Sequence, residues 1–184
     1  VLFSSRMAAL LYTRRSDRLD RHVRARLLQA WTRFFAWVAG IRVVVEGPLP
    51  EKPFFIVANH VSYIDMLVLT HQTACIFVSR GDVEHWPVIG FIARRIKAIF
   101  IDRADRRDTV RVNKLIEHAI SMGDGVAVFP ESRISAGRDV AAFKSALIEP
   151  AVALKLPVHY ATINYETLPG MPPGKTTSKA LSRS

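Results

Sequence analysis

After Gly40, short β-rich runs alternate with segments of helical periodicity, and this alternation constrains the fold more than any other feature of the chain. Strands separated by helices of roughly 10 to 15 residues favour an α/β domain with a mostly parallel central sheet flanked by helices. The predicted strands are Arg42–Glu46, Phe54–Ala58, Ile76–Ser79, Ala98–Asp102, Gly125–Pro130 and Val158–Ile163. The predicted helices are Ser62–His71, Trp86–Lys97, Arg106–Met122 and Ala142–Lys155, and Pro150 should kink or shorten the last of them.

The chain length allows one domain. A chain of 184 residues, 49% of them hydrophobic, can bury one core and is too short for two ordinary domains. We predict a basic amphipathic helical segment over 1–40, an α/β domain over 41–165 and a polar tail over 166–184. The missing initiator Met and the polar ending suggest a truncated chain. The single cysteine, Cys75, excludes an internal disulfide framework and a cysteine-rich metal site.

The charge is concentrated at the start of the chain. Of the net charge of +10, about seven units lie in residues 1–45, where nine arginines accompany only Asp17 and Asp20. Such an excess indicates a polyanionic partner, either nucleic acid or an anionic membrane surface. Because recognition motifs and a stacking pattern of aromatic residues for nucleic acid are lacking, we predict no nucleic-acid partner.

One amphipathic helix carries much of this charge. From about Asp20 to Ala39, apolar residues recur at helical spacing, and no run reaches the roughly 18 apolar residues of a membrane-spanning helix. With Trp31 and Trp37 beside its arginines, the helix has the composition of an interfacial membrane anchor. A helix packed on its own domain, with a solvated basic face, would show the same pattern, and both interpretations stay open.

Polar motifs follow three of the predicted strands: Asn59-His60, Asp102-Arg103 and Glu131-Ser132-Arg133. Ligands of open α/β sheets gather at the carboxyl ends of the strands, so these motifs are the candidate functional sites. No cluster of metal-ligating residues is present in the sequence, and we predict no metal and no cofactor.

The first motif lies in the stretch ANHVSYID, residues 58–65. Ser62 and Asp65 fit a capping box at a helix start, which gives Asp65 a structural explanation. His60 has no such explanation, and a histidine at a strand end can act as a general base if a carboxylate orients it. Asp65 could fold back to do this. A structural histidine is the alternative.

The other motifs supply candidates for substrate binding. Arg103 could hold a phosphate or carboxylate through its planar guanidinium, or form a surface salt bridge within the charged run DRADRRD. Glu131 could bind a substrate hydroxyl, hold Arg103 or lie in a solvated turn. Arg133 and Lys144 could add positive charge for an anionic ligand, or simply be solvated.

The blocks NHVSYID, IFIDR, FPE and LPVHYATI, in this order and over about residues 20–165, resemble those of the glycerolipid acyltransferases with the His-x4-Asp motif. This resemblance implies a mostly parallel α/β fold docked through N-terminal helices on the cytoplasmic face of the inner membrane of a bacterium, as a peripheral or monotopic protein. It implies acyl transfer from acyl-CoA or acyl carrier protein, as a substrate, to a lysolipid such as lysophosphatidic acid, in phospholipid synthesis. His60 would then be the base, Asp65 its orienting partner, Arg103 the ligand of the acceptor phosphate and Glu131 a further acceptor contact.

The third block departs from the family pattern, in which glycine and threonine usually follow FPE. Ser132 and Arg133 stand in those places, so a backbone position that could need positive φ carries a side chain. The following FKSALIEPA is more similar to lyso-ornithine lipid acyltransferases, which makes an amino-acid-containing acceptor the alternative. A membrane-associated relative that binds lipid without turnover is a further alternative. The sequence indicates no oligomeric state.

Overall fold

The computed structural model describes residues 17–87, 89–95, 97–102, 105, 107–131, 134 and 141–166. A sheet of five parallel strands forms its centre, in the order β3-β2-β4-β1-β5. The strands are β1 (Phe54–Ala58), β2 (Ile76–Arg80), β3 (Ile99–Ile101), β4 (Gly125–Val128) and β5 (Val158–Ala161). The helices are α1 (Asp17–Val38), α2 (Ile64–Thr73), α3 (Ile89–Arg95), α4 (Asp108–Ser121) and α5 (Glu149–Ala153), with 3-10 turns at Gly81–His85 and Ser145–Leu147. The predicted α/β fold with a mostly parallel sheet is confirmed.

Both faces of the sheet are covered, which explains why the central strands read as continuous apolar runs. Every residue of β1 and β4 is buried. On one face, Val112, Ile116 and Ile120 of α4 pack against the strands. On the other face, Leu69 of α2 packs against the phenylalanines of the strands, including Phe77. The sheet is thereby enclosed between two helical layers.

Helix α1 packs on its own domain. The guanidinium of Arg24 donates to both carboxylate oxygens of Asp124, at 3.1 and 3.2 Å, and Gln29 Nε2 donates to the carbonyl of Gln72 at 3.0 Å. On the opposite face of the helix, Trp37 is 78% exposed. One face of α1 therefore packs on the domain, as one of the two interpretations expected, while the opposite face exposes aromatic residues.

One predicted strand is wrong, and one predicted helix is shortened, as expected from Pro150. Residues 42–46 form no strand and pair with none of the described strands, since β-branched residues make a strand only where a partner supplies hydrogen bonds. The predicted helix Ala142–Lys155 is an irregular segment, a 3-10 turn and the short α5 instead. Pro150 lies in the first turn of α5, where its missing N–H costs no helical hydrogen bond.

Parts of the predicted architecture lie outside the described residues: 1–16 of the N-terminal segment and 167–184 of the tail. Among the described helices, none combines the length and the apolar character needed to cross a bilayer.

Cys75, directly before β2, is fully buried, and this burial raises the pKa of its thiol to about 12. Only the thiolate reacts readily with disulfide reagents. We therefore expect the native chain to resist an aromatic disulfide reagent at mildly alkaline pH and to react with one equivalent in concentrated guanidinium chloride. Rapid labelling of the native chain would contradict this packing of Cys75. The reaction also measures whether a variant is folded.

Candidate active site

Three neighbouring strand ends form the candidate site. Because β1 lies between β4 and β5, the segments that follow these strands meet at one edge of the sheet. They contribute His60 after β1, Glu131 after β4 and Tyr165 after β5. Asn59 joins two of these segments, since its Nδ2 donates to the carbonyl of Ile163 at 3.0 Å and its Oδ1 accepts from the Ile163 N–H at 2.7 Å.

His60 and Asp65 are in direct contact. His60 Nδ1 lies 2.8 Å from Asp65 Oδ2. A carboxylate only accepts, so this contact places the proton on Nδ1 and leaves the lone pair of Nε2 available. A histidine held in this tautomer by a buried carboxylate has the arrangement of a general base.

The Asp65 side chain is completely buried, and its carboxylate accepts four hydrogen bonds. Oδ2 accepts from His60 Nδ1, from the Val61 N–H at 2.7 Å and from the Ser62 N–H at 3.0 Å, while Oδ1 accepts from the Tyr165 hydroxyl at 2.6 Å. The bond to Ser62 is the return bond of the predicted capping box. The helix itself begins at Ile64, so Tyr63 rather than Ser62 is the N-cap, and the Ser62 hydroxyl accepts from the Ile64 N–H. One carboxylate thus starts the helix and orients His60.

The imidazole of His60 lies against an aromatic wall. Its ring stacks on Phe129, with 4.2 Å between centroids and 17° between planes, and Phe129 stacks in turn on Phe77 at 5.9 Å. The side chain of His60 is 14% exposed. The ring is therefore fixed on one face by Phe129 and at Nδ1 by Asp65.

Glu131 braces the backbone of the site. It is 4% exposed; Oε1 accepts from the His60 N–H at 3.2 Å, and Oε2 accepts from the Ala141 N–H at 2.9 Å. The carboxylate thus connects the loop after β1 to the segment that precedes Lys144. The exposed Lys144 lies on this side of the site, since its N–H donates to the Pro130 carbonyl at 3.0 Å. Substrate binding by Glu131 and Lys144 stays a prediction.

Arg103 and Arg133, together with Ser132, lie outside the described residues. Asp102, which precedes Arg103, follows β3 at the far edge of the sheet. Three strand intervals separate β3 from β1, a distance of roughly 14 Å. Near Asp102, hydrogen bonds from Arg111 and from the Asp102 N–H lower the pKa of Asp108 to about 2. Proximity of Arg103 to His60 stays a prediction.

Sequence reasoning missed Tyr165 and the stacking of Phe129. Tyr165 lies four residues beyond β5, and its contact with Asp65 joins positions 100 residues apart. A polar motif at a strand end was the signal that identified the other candidates. The same criterion, applied to Asn164-Tyr165 after the fifth strand, would have included it.

An apolar cavity of about 340 Å³ adjoins the site. It lies between α1, α2 and the sheet, and Phe77, part of the wall behind His60, is among its lining residues. From α1 it is lined by Leu28, Trp31, Thr32 and Phe35, and from α2 by Ile64, Met66, Leu67 and Thr70. The ring of Phe129 separates this cavity wall from the imidazole of His60.

The chain belongs to the Acyltransferase family, whose sequence model matches residues 40–164. A lyso-ornithine lipid O-acyltransferase from Rhizobium meliloti is 33% identical over 166 residues, which cover 85% of this chain and 56% of the relative. A 1-acyl-sn-glycerol-3-phosphate acyltransferase from Neisseria gonorrhoeae is 32% identical over 114 residues, which cover 61% of this chain and 45% of the relative. The family predicted from the four sequence blocks is confirmed.

A solved structure shares the fold. The crystal structure of the 1-acyl-sn-glycerophosphate (LPA) acyltransferase PlsC from Thermotoga maritima matches with a TM-score of 0.67 at 22% identity, over 85% of this chain and 64% of that one. The chain spans about half the length of the two curated relatives described above.

The four hydrogen bonds to Asp65 make it, among the described polar residues, the one whose loss should cost most stability. Asp65→Ala leaves buried N–H and O–H donors without an acceptor, and we expect a loss of about 3 kcal/mol in the free energy of unfolding. Asp65→Asn retains one acceptor oxygen and should cost less. Denaturant unfolding followed by circular dichroism measures both.

Asp105→Ala is the matched control. Asp105 is exposed, and its carboxylate accepts only a local hydrogen bond from the Arg107 N–H among those described. It should cost less than about 1 kcal/mol. Equal losses for Asp65→Ala and Asp105→Ala would refute the buried network.

Proposed function

We propose that this chain transfers a fatty acyl group from acyl-CoA or acyl carrier protein to the free hydroxyl of a lysolipid. The hydrogen bond of His60 Nδ1 to the buried Asp65, which leaves Nε2 available as a base, is the observation that carries this proposal. Membership of the Acyltransferase family and relatives named for acylation of two different lysolipids support it.

The reaction needs one base and a stabilised oxyanion. His60 Nε2 takes the proton of the acceptor hydroxyl as the oxygen attacks the thioester carbonyl. The tetrahedral intermediate then collapses with cleavage of the carbon–sulfur bond, and the imidazolium returns the proton to the leaving thiolate. Asp65 stabilises the imidazolium between these two steps, and the acyl group passes directly between the two substrates.

The apolar cavity is evidence that an acyl chain can bind on the same side of the sheet as this base. Its lining is almost entirely apolar, and it contacts Phe77, two stacked rings away from His60. Burial of methylene groups in such a cavity contributes about 0.8 kcal/mol each. A chain held there would contact Phe77, which stacks on the ring of Phe129 behind His60.

For the acceptor we propose 1-acyl-glycerol-3-phosphate. Arg103 would bind the phosphate, Arg133 and Lys144 would add positive charge, and Glu131 would contribute to the acceptor site. The exposed position of Lys144 beside Glu131 supports this assignment, since a cation there is available to an anionic headgroup.

A lyso-ornithine lipid is the second candidate acceptor. The segment FKSALIEPA, residues 143–151, favours it, as does the relative of that name, which matches over 85% of this chain. With such an acceptor Arg103 would face a carboxylate instead of a phosphate.

We also propose peripheral docking on the inner face of a bacterial membrane through α1. Arg26, Arg33 and Trp37 lie on one exposed face of this helix, and Phe34 and Val38 beside them are 58% and 62% exposed. Arginines that meet anionic headgroups, next to aromatic rings that enter the interface, are what interfacial helices present. The surface of α1 opposite its packed face is thus suited to lipid.

If His60 is the base, His60→Ala should lower kcat for acyl transfer by at least about 10³-fold while the chain stays folded. The assay offers lysophosphatidic acid and lyso-ornithine lipid, each with acyl-CoA and acyl carrier protein as donor. Protection of Cys75 from the disulfide reagent monitors folding. His118→Ala, at an exposed position of α4, is the matched control and should retain wild-type activity.

Full activity of His60→Ala would refute the proposed mechanism. Turnover of lyso-ornithine lipid alone would select the second acceptor. A wild-type chain that binds lipid vesicles but turns over neither acceptor would instead be a lipid-binding relative without catalysis.

The docking face predicts that Trp37→Ser lowers the affinity for anionic vesicles by roughly tenfold, because an interfacial aromatic ring is lost. Sedimentation with vesicles of phosphatidylglycerol and phosphatidylcholine measures this. Tyr160→Ser is the control, since Tyr160 is 89% exposed and its strand β5 lies three strand intervals from β2, which lines the same cavity as α1. Equal effects of the two substitutions would contradict docking through α1.

A further inference from the structure

Tyr165 is the remaining polar contact of Asp65. Its hydroxyl donates to Oδ1 at 2.6 Å, whereas the donors from the loop after β1 all bind Oδ2. Among the described residues, Tyr165 is therefore the donor that holds the second oxygen of this carboxylate. Tyr165 follows the edge strand β5, which is the neighbour of β1 on the side opposite β4.

The hydroxyl of Tyr165 remains a donor throughout the ordinary pH range. Its ring is partly buried against the cluster that includes Ala58, Phe129 and Ile163. Burial first, and then the hydrogen bond to Asp65, raise the pKa of Tyr165 well above its ordinary value. Asp65 thus faces a neutral, permanently protonated partner on Oδ1.

We propose that Tyr165 is a positioning residue of the acyl-transfer site: its hydroxyl holds the Asp65 carboxylate with Oδ2 towards His60 and moderates the negative charge that the imidazole experiences. This inference rests on the proposed function for its catalytic consequence. It acts through Asp65, because the hydroxyl contacts that carboxylate and the structure shows no hydrogen bond from it to His60.

Two effects follow from loss of the hydroxyl. Without its donor on Oδ1, the carboxylate can rotate away from the orientation that aligns His60, so the fraction of aligned base decreases. The charge of Asp65, no longer shared with Tyr165, stabilises the imidazolium more strongly, so His60 should titrate at higher pH. The other titratable group that contacts this pair among the described residues is Glu131, which accepts from the His60 N–H and is unchanged by the substitution.

Tyr165→Phe tests the proposal, since it removes only the hydroxyl. We expect kcat to fall about tenfold with little change in KM, and the acid limb of the pH–kcat profile to move up by roughly half a unit to one unit. NMR of the His60 ring, assigned by its absence in His60→Gln, should show the same upward shift without any need for turnover.

Tyr160→Phe is the matched control, because this substitution removes the hydroxyl of an exposed tyrosine on β5, the strand that precedes Tyr165. It should leave kcat, the pH profile and the His60 titration unchanged. A second test uses Asp65→Asn, where adding Tyr165→Phe should no longer move the His60 titration, since the hydroxyl acts through the carboxylate.

The outcomes separate this inference from the proposed function. An unchanged His60 titration in folded Tyr165→Phe, with Cys75 still protected, overturns the role of Tyr165 whether or not the chain turns over substrate. An inactive wild-type chain in which Tyr165→Phe still shifts the His60 titration overturns the proposed function alone.

Discussion

The buried carboxylate of Asp65 is the contact on which the rest of the site depends. It accepts hydrogen bonds from the ring of His60, from two backbone N–H groups of the loop after β1 and from Tyr165. A buried carboxylate is stable only when such donors surround it. The same bonds that make its burial tolerable also fix the tautomer of His60, so stability and the proposed catalysis share one set of contacts at this position.

The position of β1 between β4 and β5 makes this arrangement possible. Glu131 from one side braces the backbone of His60, Tyr165 from the other side holds Asp65, and Phe129 supports the imidazole ring. One face of helix α1 covers the apolar cavity, and the opposite face carries the exposed aromatic residues. A histidine oriented by a carboxylate, near an apolar cavity and behind a helix suited to lipid, is the arrangement that the proposed acyl transfer requires.

Much of the fold could be predicted from periodicity, because buried parallel strands are apolar throughout and the helices between them repeat every 3.6 residues. The predictions failed where local pattern and tertiary context disagree. Residues 42–46 have strand-forming side chains, yet Val44 is 69% exposed and no described strand pairs with this segment. The predicted last helix was too long, since Pro150 begins a helix more readily than it continues one.

By itself the sequence placed His60 and Asp65 within reach of each other, because a strand end followed by a helix start allows local hydrogen bonds between residues five positions apart. The order of the strands was decided by the tertiary structure alone. Periodicity says which segments are strands and nothing about which strands are neighbours, since pairing depends on contacts distant in sequence. Glu131 lies 71 residues from His60, whose backbone N–H it binds, and Tyr165 lies 100 residues from Asp65, so only the folded sheet could bring them to the same site.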